Sequence, residues 1–148
     1  MKRLAVVFFA LLILTPLNAI ATEMQDLTFA EKAFGDELYD IASKKFLRFL
    51  EEYPQSQYEA KVHLLLGQCY YHLENYPLAV YEFEAAVSAP TSEFRDAATY
   101  WLGEVNFKQS KYDEAILQYD KVLEAFPRSD YAQYALYSMG WCYFQKND

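Results

Sequence analysis

Two histidines, two cysteines and 21 carboxylates are the groups in this 148-residue chain that could carry chemistry. His63 and His72 stand nine residues apart, without an HExxH pattern or a cysteine-rich context. Nine residues on one helix is two and a half turns, which sets the two rings on nearly opposite sides. A shared metal ion is not expected, nor is any other cofactor; His63 reads as a packing residue and His72 as a helix-end group. Paired carboxylates could serve glycoside hydrolysis, yet Glu51-Glu52, Glu82, Glu84, Asp113-Glu114 and Glu124 fall mainly on the polar sides of helical patterns, as a solvated surface does. No Ser-His-Asp set and no Gly-rich phosphate loop accompanies them. The segment reads as not an enzyme. Its formal charge of −8 repels phosphate backbones and no Lys/Arg cluster reverses this locally, so nucleic acid is not expected as a partner.

The elements that must position these groups follow from an internal repeat. Tyr39, Tyr76 and Tyr112 are spaced by 37 and 36 residues. Ala42, Ala79 and Ala115 follow at the same steps, as do Phe46, Phe83 and Tyr119. Pro54, Pro90 and Pro127 keep the period, and so do Gly67, Gly103 and Gly140. Within a unit the apolar spacing is helical: from Tyr112 it runs Ala115, Ile116, Tyr119, Val122, Leu123, Phe126, one stripe of a 3.6-residue helix. No period-two alternation predicts a strand. The connectors Pro54-Gln55-Ser56-Gln57-Tyr58, Pro90-Thr91-Ser92-Glu93-Phe94 and Pro127-Arg128-Ser129-Asp130-Tyr131 share the form Pro-x-Ser-x-aromatic. The proline ends one helix and the serine is placed to cap the next. Weaker turns fall at Gly35-Asp36, Glu74-Asn75 and Gln109-Ser110. The spacing predicts seven helices, over 26–35, 38–52, 57–73, 76–88, 93–108, 112–125 and 130–146.

Residues 1–21 read as an address. Met1-Lys2-Arg3 precedes an unbroken apolar run from Leu4 to Leu14, Pro16 interrupts it, and Ala19-Ile20-Ala21 supplies the small–x–small pattern of signal-peptidase cleavage. Eleven apolar residues fall short of the roughly 20 of a membrane span; the competing reading is an uncleaved anchor reaching Ala21. No cysteine lies near the cleavage point, so no lipid anchor is expected. Removing Lys2 and Arg3 takes the formal charge from −8 to −10. The short, basic-headed signal points to a bacterium and to the periplasm.

Trp101-Leu102-Gly103, Phe107, Tyr112, Ala115, Tyr119 and Pro127 resemble the tetratricopeptide repeat. Leu66-Gly67, Tyr70, Tyr76, Ala79, Phe83 and Ala86 make a second match, with Pro90 one position early, and Met139-Gly140 with Tyr143 opens a third. In the first unit Phe29-Ala30 stands where Leu-Gly would, while Tyr39, Ala42, Phe46 and Pro54 fit. The resemblance covers residues 26–148 and implies an all-α, right-handed α-solenoid over 22–148, about three repeats plus the first helix of a fourth. The connector and the long unit are similar to repeats of bacterial envelope proteins, such as the Tol-Pal-associated coordinator of cell division and the lipoprotein of the barrel-assembly machine. The chain lacks the coiled coil of the first and the lipidated cysteine of the second. Cys69 and Cys142, two residues after their repeat glycines and two units apart, are expected to be buried free thiols. Stacked helices at about 8–10 Å each hold them beyond the Cα separation of about 7 Å that a disulfide tolerates.

In such folds the first helices of the units line a concave groove. The resemblance carries groove positions onto Lys61, Leu64, Gln68, Tyr71 and His72 in one unit. It gives Ala97, Tyr100, Glu104, Phe107 and Lys108 in the next, and Tyr134, Tyr137, Trp141 and Phe144 in the last. An aromatic groove suits an extended peptide or a helix of a partner. The expected function is an exported scaffold or adaptor that binds envelope proteins. The alternative is the helical N-terminal part of a longer exported cell-wall enzyme with its catalytic domain beyond Asp148. The last predicted helix has an apolar stripe with two sides to cover and only one pair before it, so this end is expected to continue into further repeats or to dock, self-association included. The expected mature N-terminus is Thr22, released by osmotic shock; terminal sequencing that finds the intact chain in the membrane pellet, starting at Met1, overturns it.

Overall fold

The computed structural model describes residues 21–90 and 93–146, and the predicted signal segment lies outside these except for Ala21. Among the described residues there are seven helices and no strand. Helix α1 covers 21–35 and α2 Tyr39–Glu52. They are followed by α3 Glu59–His72, α4 Tyr76–Ser88, α5 Arg95–Lys108, α6 Tyr112–Ala125 and α7 Asp130–Lys146. The chain divides into two compact units, one ending at Pro54 and the other running Gln55–Asp148.

Each second helix begins at the repeated tyrosine because the turn before it is built the same way three times. Glu37, Glu74 and Ser110 adopt φ of 59, 57 and 59°, the left-handed state that lets a chain leave a helix. Beyond them, the N–H groups of Leu38, Asn75 and Lys111 donate to the carbonyls of Ala33, Tyr70 and Asn106 at 2.9, 2.8 and 2.9 Å. These bonds satisfy carbonyls that the helix end would otherwise orphan. An aromatic pair closes every such turn: Phe34 on Tyr39, Tyr71 on Tyr76 and Phe107 on Tyr112, with ring centroids 5.7, 6.2 and 5.7 Å apart. The left-handed residue is not glycine in any of the three, which is why sequence punctuation marked these turns only weakly. At the other connectors the prolines stop α2, α4 and α6 as expected. Ser129 caps α7, accepting from the Tyr131 N–H at 3.0 Å. Ser56 accepts from Tyr58 N–H, also at 3.0 Å, but in the turn ahead of α3, whose first residue is Glu59. Ser92 lies outside the described residues.

In the first unit Leu27, Ala30 and Ala33 of α1 and Ala42, Phe46 and Phe49 of α2 are buried. The Tyr53 hydroxyl donates to Asp26 Oδ2 at 2.8 Å, tying the end of α2 to α1. In the second unit each helix packs on the next, and α5 also packs against both α3 and α7. The first helices of successive repeats therefore lie side by side. Small residues set how closely they approach their partners. A Cβ built on Gly67 meets the Phe83 ring at 2.6 Å, and one on Gly103 meets the Tyr119 ring at 2.4 Å, both inside contact distance. The aromatic of the second helix thus lies flat on the backbone of the first, and Phe83 and Tyr119 are fully buried there. Burying one such ring stabilises by about 1.5–3 kcal/mol.

One polar group departs from the sequence reading, and the two cysteines follow it. Glu82, expected on a solvated face, is 4% exposed and accepts a hydrogen bond from His63 Nδ1 at 2.6 Å. The position falls on the packed side of α4, where a carboxylate persists only with a donor against it, and His63 on α3 supplies that donor. Cys69 and Cys142 are free and buried. Burial pushes their thiols up to about 12 and about 11, so both stay protonated and act as small apolar groups.

Gly35 and Gly140 have nothing within 4 Å of a built Cβ, and this contrast sets a test. Gly103→Ala is expected to destabilise by about 1–3 kcal/mol, because Tyr119 must move off its seat. Gly140→Ala, in the same repeat position, is expected to stabilise by up to about 1 kcal/mol through helix propensity. Urea midpoints of the two variants check this; equal and opposite behaviour from that stated would show that the ring contacts are misassigned.

Candidate functional site

Where α5 and α7 lie side by side they leave a groove of about 490 Å³. Its walls are Tyr100, Glu104 and Phe107 from α5 and Tyr134, Tyr137, Ser138 and Trp141 from α7. The α5 residues recur at i, i+4 and i+7 and those of α7 at i, i+3, i+4 and i+7, the spacing of one helix face. The α7 wall is open: Tyr134, Tyr137 and Trp141 are 57, 68 and 43% exposed. The α5 wall is held. The Tyr100 ring sits 5.8 Å from Tyr119, 5.4 Å from Tyr131 and 6.2 Å from Tyr134, centroid to centroid, and Phe107 is pinned by Tyr112.

Glu104 is the one charged group in this wall. The Tyr119 hydroxyl, reaching from α6, donates to its Oε1 at 2.8 Å. The Ser138 hydroxyl, from α7, donates to the same oxygen at 2.8 Å. Tyr100 Oη lies 3.4 Å from Ser138 Oγ, so three helices converge on one carboxylate. Burial, and secondly the charge of Glu104, raise the phenols of Tyr71 and Tyr119 well above the ordinary range. Burial is also the main cause for Tyr100, with Glu104 adding to it. All three stay protonated and act as hydrogen-bond donors or apolar walls. Among the described residues, no Lys, Arg or His nitrogen comes within 4.0 Å of the Glu104 carboxylate.

The structure sorts the expected groove residues into five groups. Tyr100, Glu104, Phe107, Tyr134, Tyr137 and Trp141 come together as expected. Leu64 and Ala97 do not line a groove: at 6 and 3% exposure they belong to the core with Ala79, Phe83, Ala86 and Val105, because the close approach of the neighbouring helices covers them. Tyr71 is half-buried, its ring 5.0 Å from Trp101 and 6.2 Å from Tyr76, so it packs between successive repeats of the second unit. Lys61, Gln68, His72 and Lys108 lie outside the α5–α7 groove. Phe144 lines a different depression, of about 410 Å³, with Leu136 and Gly140 on the adjoining face of α7, and Tyr137 and Trp141 stand on the edge shared with the groove. Sequence reasoning missed Ser138, a lone serine amid aromatics. Its only signal was a polar residue four positions after Tyr134 on a stripe otherwise apolar.

Comparison with known proteins follows the same lines. A family model described as tetratricopeptide repeat matches residues 27–93 and again 92–130. Nuclear autoantigenic sperm protein of Oryctolagus cuniculus is 31% identical over 100 residues, which takes in 62% of this chain and 14% of that protein. This chain therefore corresponds to a small part of that relative's length. Among solved structures, the crystal structure of MamA superposes with a TM-score of 0.71 at 21% identity, over 84% of this chain and 68% of that one. The first repeat domain of Spaghetti (RPAP3), bound to the HSP90 peptide SRMEEVD, gives 0.70 at 20% identity, over 85% and 94%. At these identities the likeness to the two structures is one of fold. The family model spans most of the described helices and both neighbours share their arrangement, so the chain belongs to the tetratricopeptide repeat family.

Proposed function

We propose that this chain is a non-catalytic adaptor that binds partner proteins through the α5–α7 groove, and that it does so as an exported component of a bacterial cell envelope. Tetratricopeptide repeat proteins are protein-interaction scaffolds, and the RPAP3 domain named above holds a peptide. The observation that carries the reading for this chain is the exposure of Tyr134, Tyr137 and Trp141 along one helix face beside a groove of about 490 Å³. Exposed Tyr and Trp at such density are the residue types that dominate binding energy at interfaces. The periplasmic location rests on Lys2-Arg3, the apolar run and Ala19-Ile20-Ala21.

A second contact surface is supported by the adjoining face of α7. Gly67 and Gly103 each carry an aromatic ring of a second helix, whereas Gly140 has nothing within 4 Å. Phe34, Tyr71 and Phe107 each pack on the repeated tyrosine, whereas Phe144, the fourth in that series, is 57% exposed. With Leu136 and Tyr137 this makes an apolar face shaped for a helix, and a second copy of the chain is the occupant we infer.

Pull-down from envelope extract, with Tyr137→Ala and Trp141→Ala run beside the wild type, tests the groove. Partner binding is expected to fall about ten-fold or more while the melting temperature holds; unchanged capture, or equal loss of stability, overturns the assignment. Sedimentation of the same preparations is expected to show concentration-dependent association that Phe144→Glu abolishes, and a monomer at every concentration removes the second surface.

A further inference from the structure

Glu104 is the feature of the groove that packing alone does not account for. A carboxylate half-buried among aromatic rings loses part of its hydration, a cost that is normally offset by a nearby cation. Here the donors are two hydroxyls, from Tyr119 and Ser138, and both end on Oε1. No basic side chain among the described residues reaches the carboxylate, although Lys108 follows one turn later on the same helix. Glu104 is the one charged group that lines the groove, and the Tyr71, Tyr100 and Tyr119 phenols and the Cys142 thiol near it stay protonated and bring no compensating positive charge. The site is thus negative, and the whole chain carries −8.

Around the carboxylate stand aromatic rings, whose negative faces favour a cation. Tyr100, Tyr134, Tyr137 and Trp141 line the same groove. The Tyr137 and Trp141 rings stand edge to face, 6.2 Å apart, so one presents its face where the other presents its edge. A guanidinium inserted here gains a charge-assisted hydrogen bond to the carboxylate and contact with aromatic faces. Arginine suits both better than lysine, because its plane stacks and its fork matches a carboxylate. Resting on the reading of the groove as a protein-binding surface, we propose that the α5–α7 groove selects partner segments that place an arginine against Glu104, with its plane on the aromatic faces that line the groove. An acidic segment is disfavoured there by the same charge.

The test uses acetyl-arginine amide as the probe, with acetyl-citrulline amide as its uncharged isostere, titrated into the purified chain. Binding is followed by the Trp141 indole N–H resonance, assigned by comparison with Trp141→Phe. Arginine amide is expected to bind about ten-fold more tightly than citrulline amide. In Glu104→Gln, whose amide oxygen can still accept from Tyr119 and Ser138, that preference is expected to vanish while the melting temperature holds. Equal affinity for the two probes in the wild type, or a preference that survives in Glu104→Gln, overturns the proposal. Neither result touches the wider reading, since loss of partner capture in Tyr137→Ala and Trp141→Ala is read separately. If Glu104→Gln fails to fold, Ser138→Ala, which leaves the carboxylate in place, is expected to keep the arginine preference, and its loss there would equally count against the proposal.

Discussion

Two aromatic rings lying on bare backbone hold the second unit together. Phe83 covers Gly67 and Tyr119 covers Gly103, each so closely that one added carbon would sit within 2.6 Å of the ring. A glycine in mid-helix costs about 1 kcal/mol relative to alanine, and the burial of a large ring at that place more than offsets it. Because the contact recurs once per repeat, it fixes how far each second helix stands from its first. That distance in turn sets how the next first helix is seated, which is why α5 can touch both α3 and α7.

The groove is a consequence of that seating. Tyr119 serves both sides: its ring covers Gly103, and its hydroxyl passes through to Glu104 on the groove side of α5. Ser138 meets the same oxygen from α7. A side chain committed to packing thereby orients the only carboxylate in the aromatic wall. The wall itself is graded, with Tyr100 and Phe107 locked by ring contacts on α5 and the α7 aromatics open to solvent. A rigid side and an open side are what a surface needs to bind with little ordering cost.

The repeats are alike in sequence but differ in what surrounds them. Position 140 is a glycine like 67 and 103, and position 144 an aromatic like 34, 71 and 107, yet their environments are open where the others are filled. The same residue types thus serve as core in one unit and as contact surface in another. Tyr71 and Phe144, both read from the sequence as groove residues, part ways for this reason: the first is enclosed by Trp101 and Tyr76, and the second faces outward.

The amino-acid sequence alone determined the helices, since their limits follow from local causes: a 3.6-residue apolar stripe, prolines that cannot continue a helix, and a repeat that states each element three times. It also determined the pairing of small with large, visible as glycine and aromatic in fixed register. What it left open were facts that depend on two helices meeting at a particular rotation. Glu82 looked like a surface residue until α3 brought His63 to it. Leu64 and Ala97 looked like groove residues until the neighbouring helices covered them. The turns at Gly35-Asp36, Glu74-Asn75 and Gln109-Ser110 were legible, but that Glu37, Glu74 and Ser110 would be the left-handed residues in them was not, since none is a glycine. The convergence of Tyr119 and Ser138 on Glu104 joins residues 15 and 34 positions away from it. Periodicity records which side of a helix is apolar, but the atoms that one side meets are settled only when helices from separate repeats are packed together.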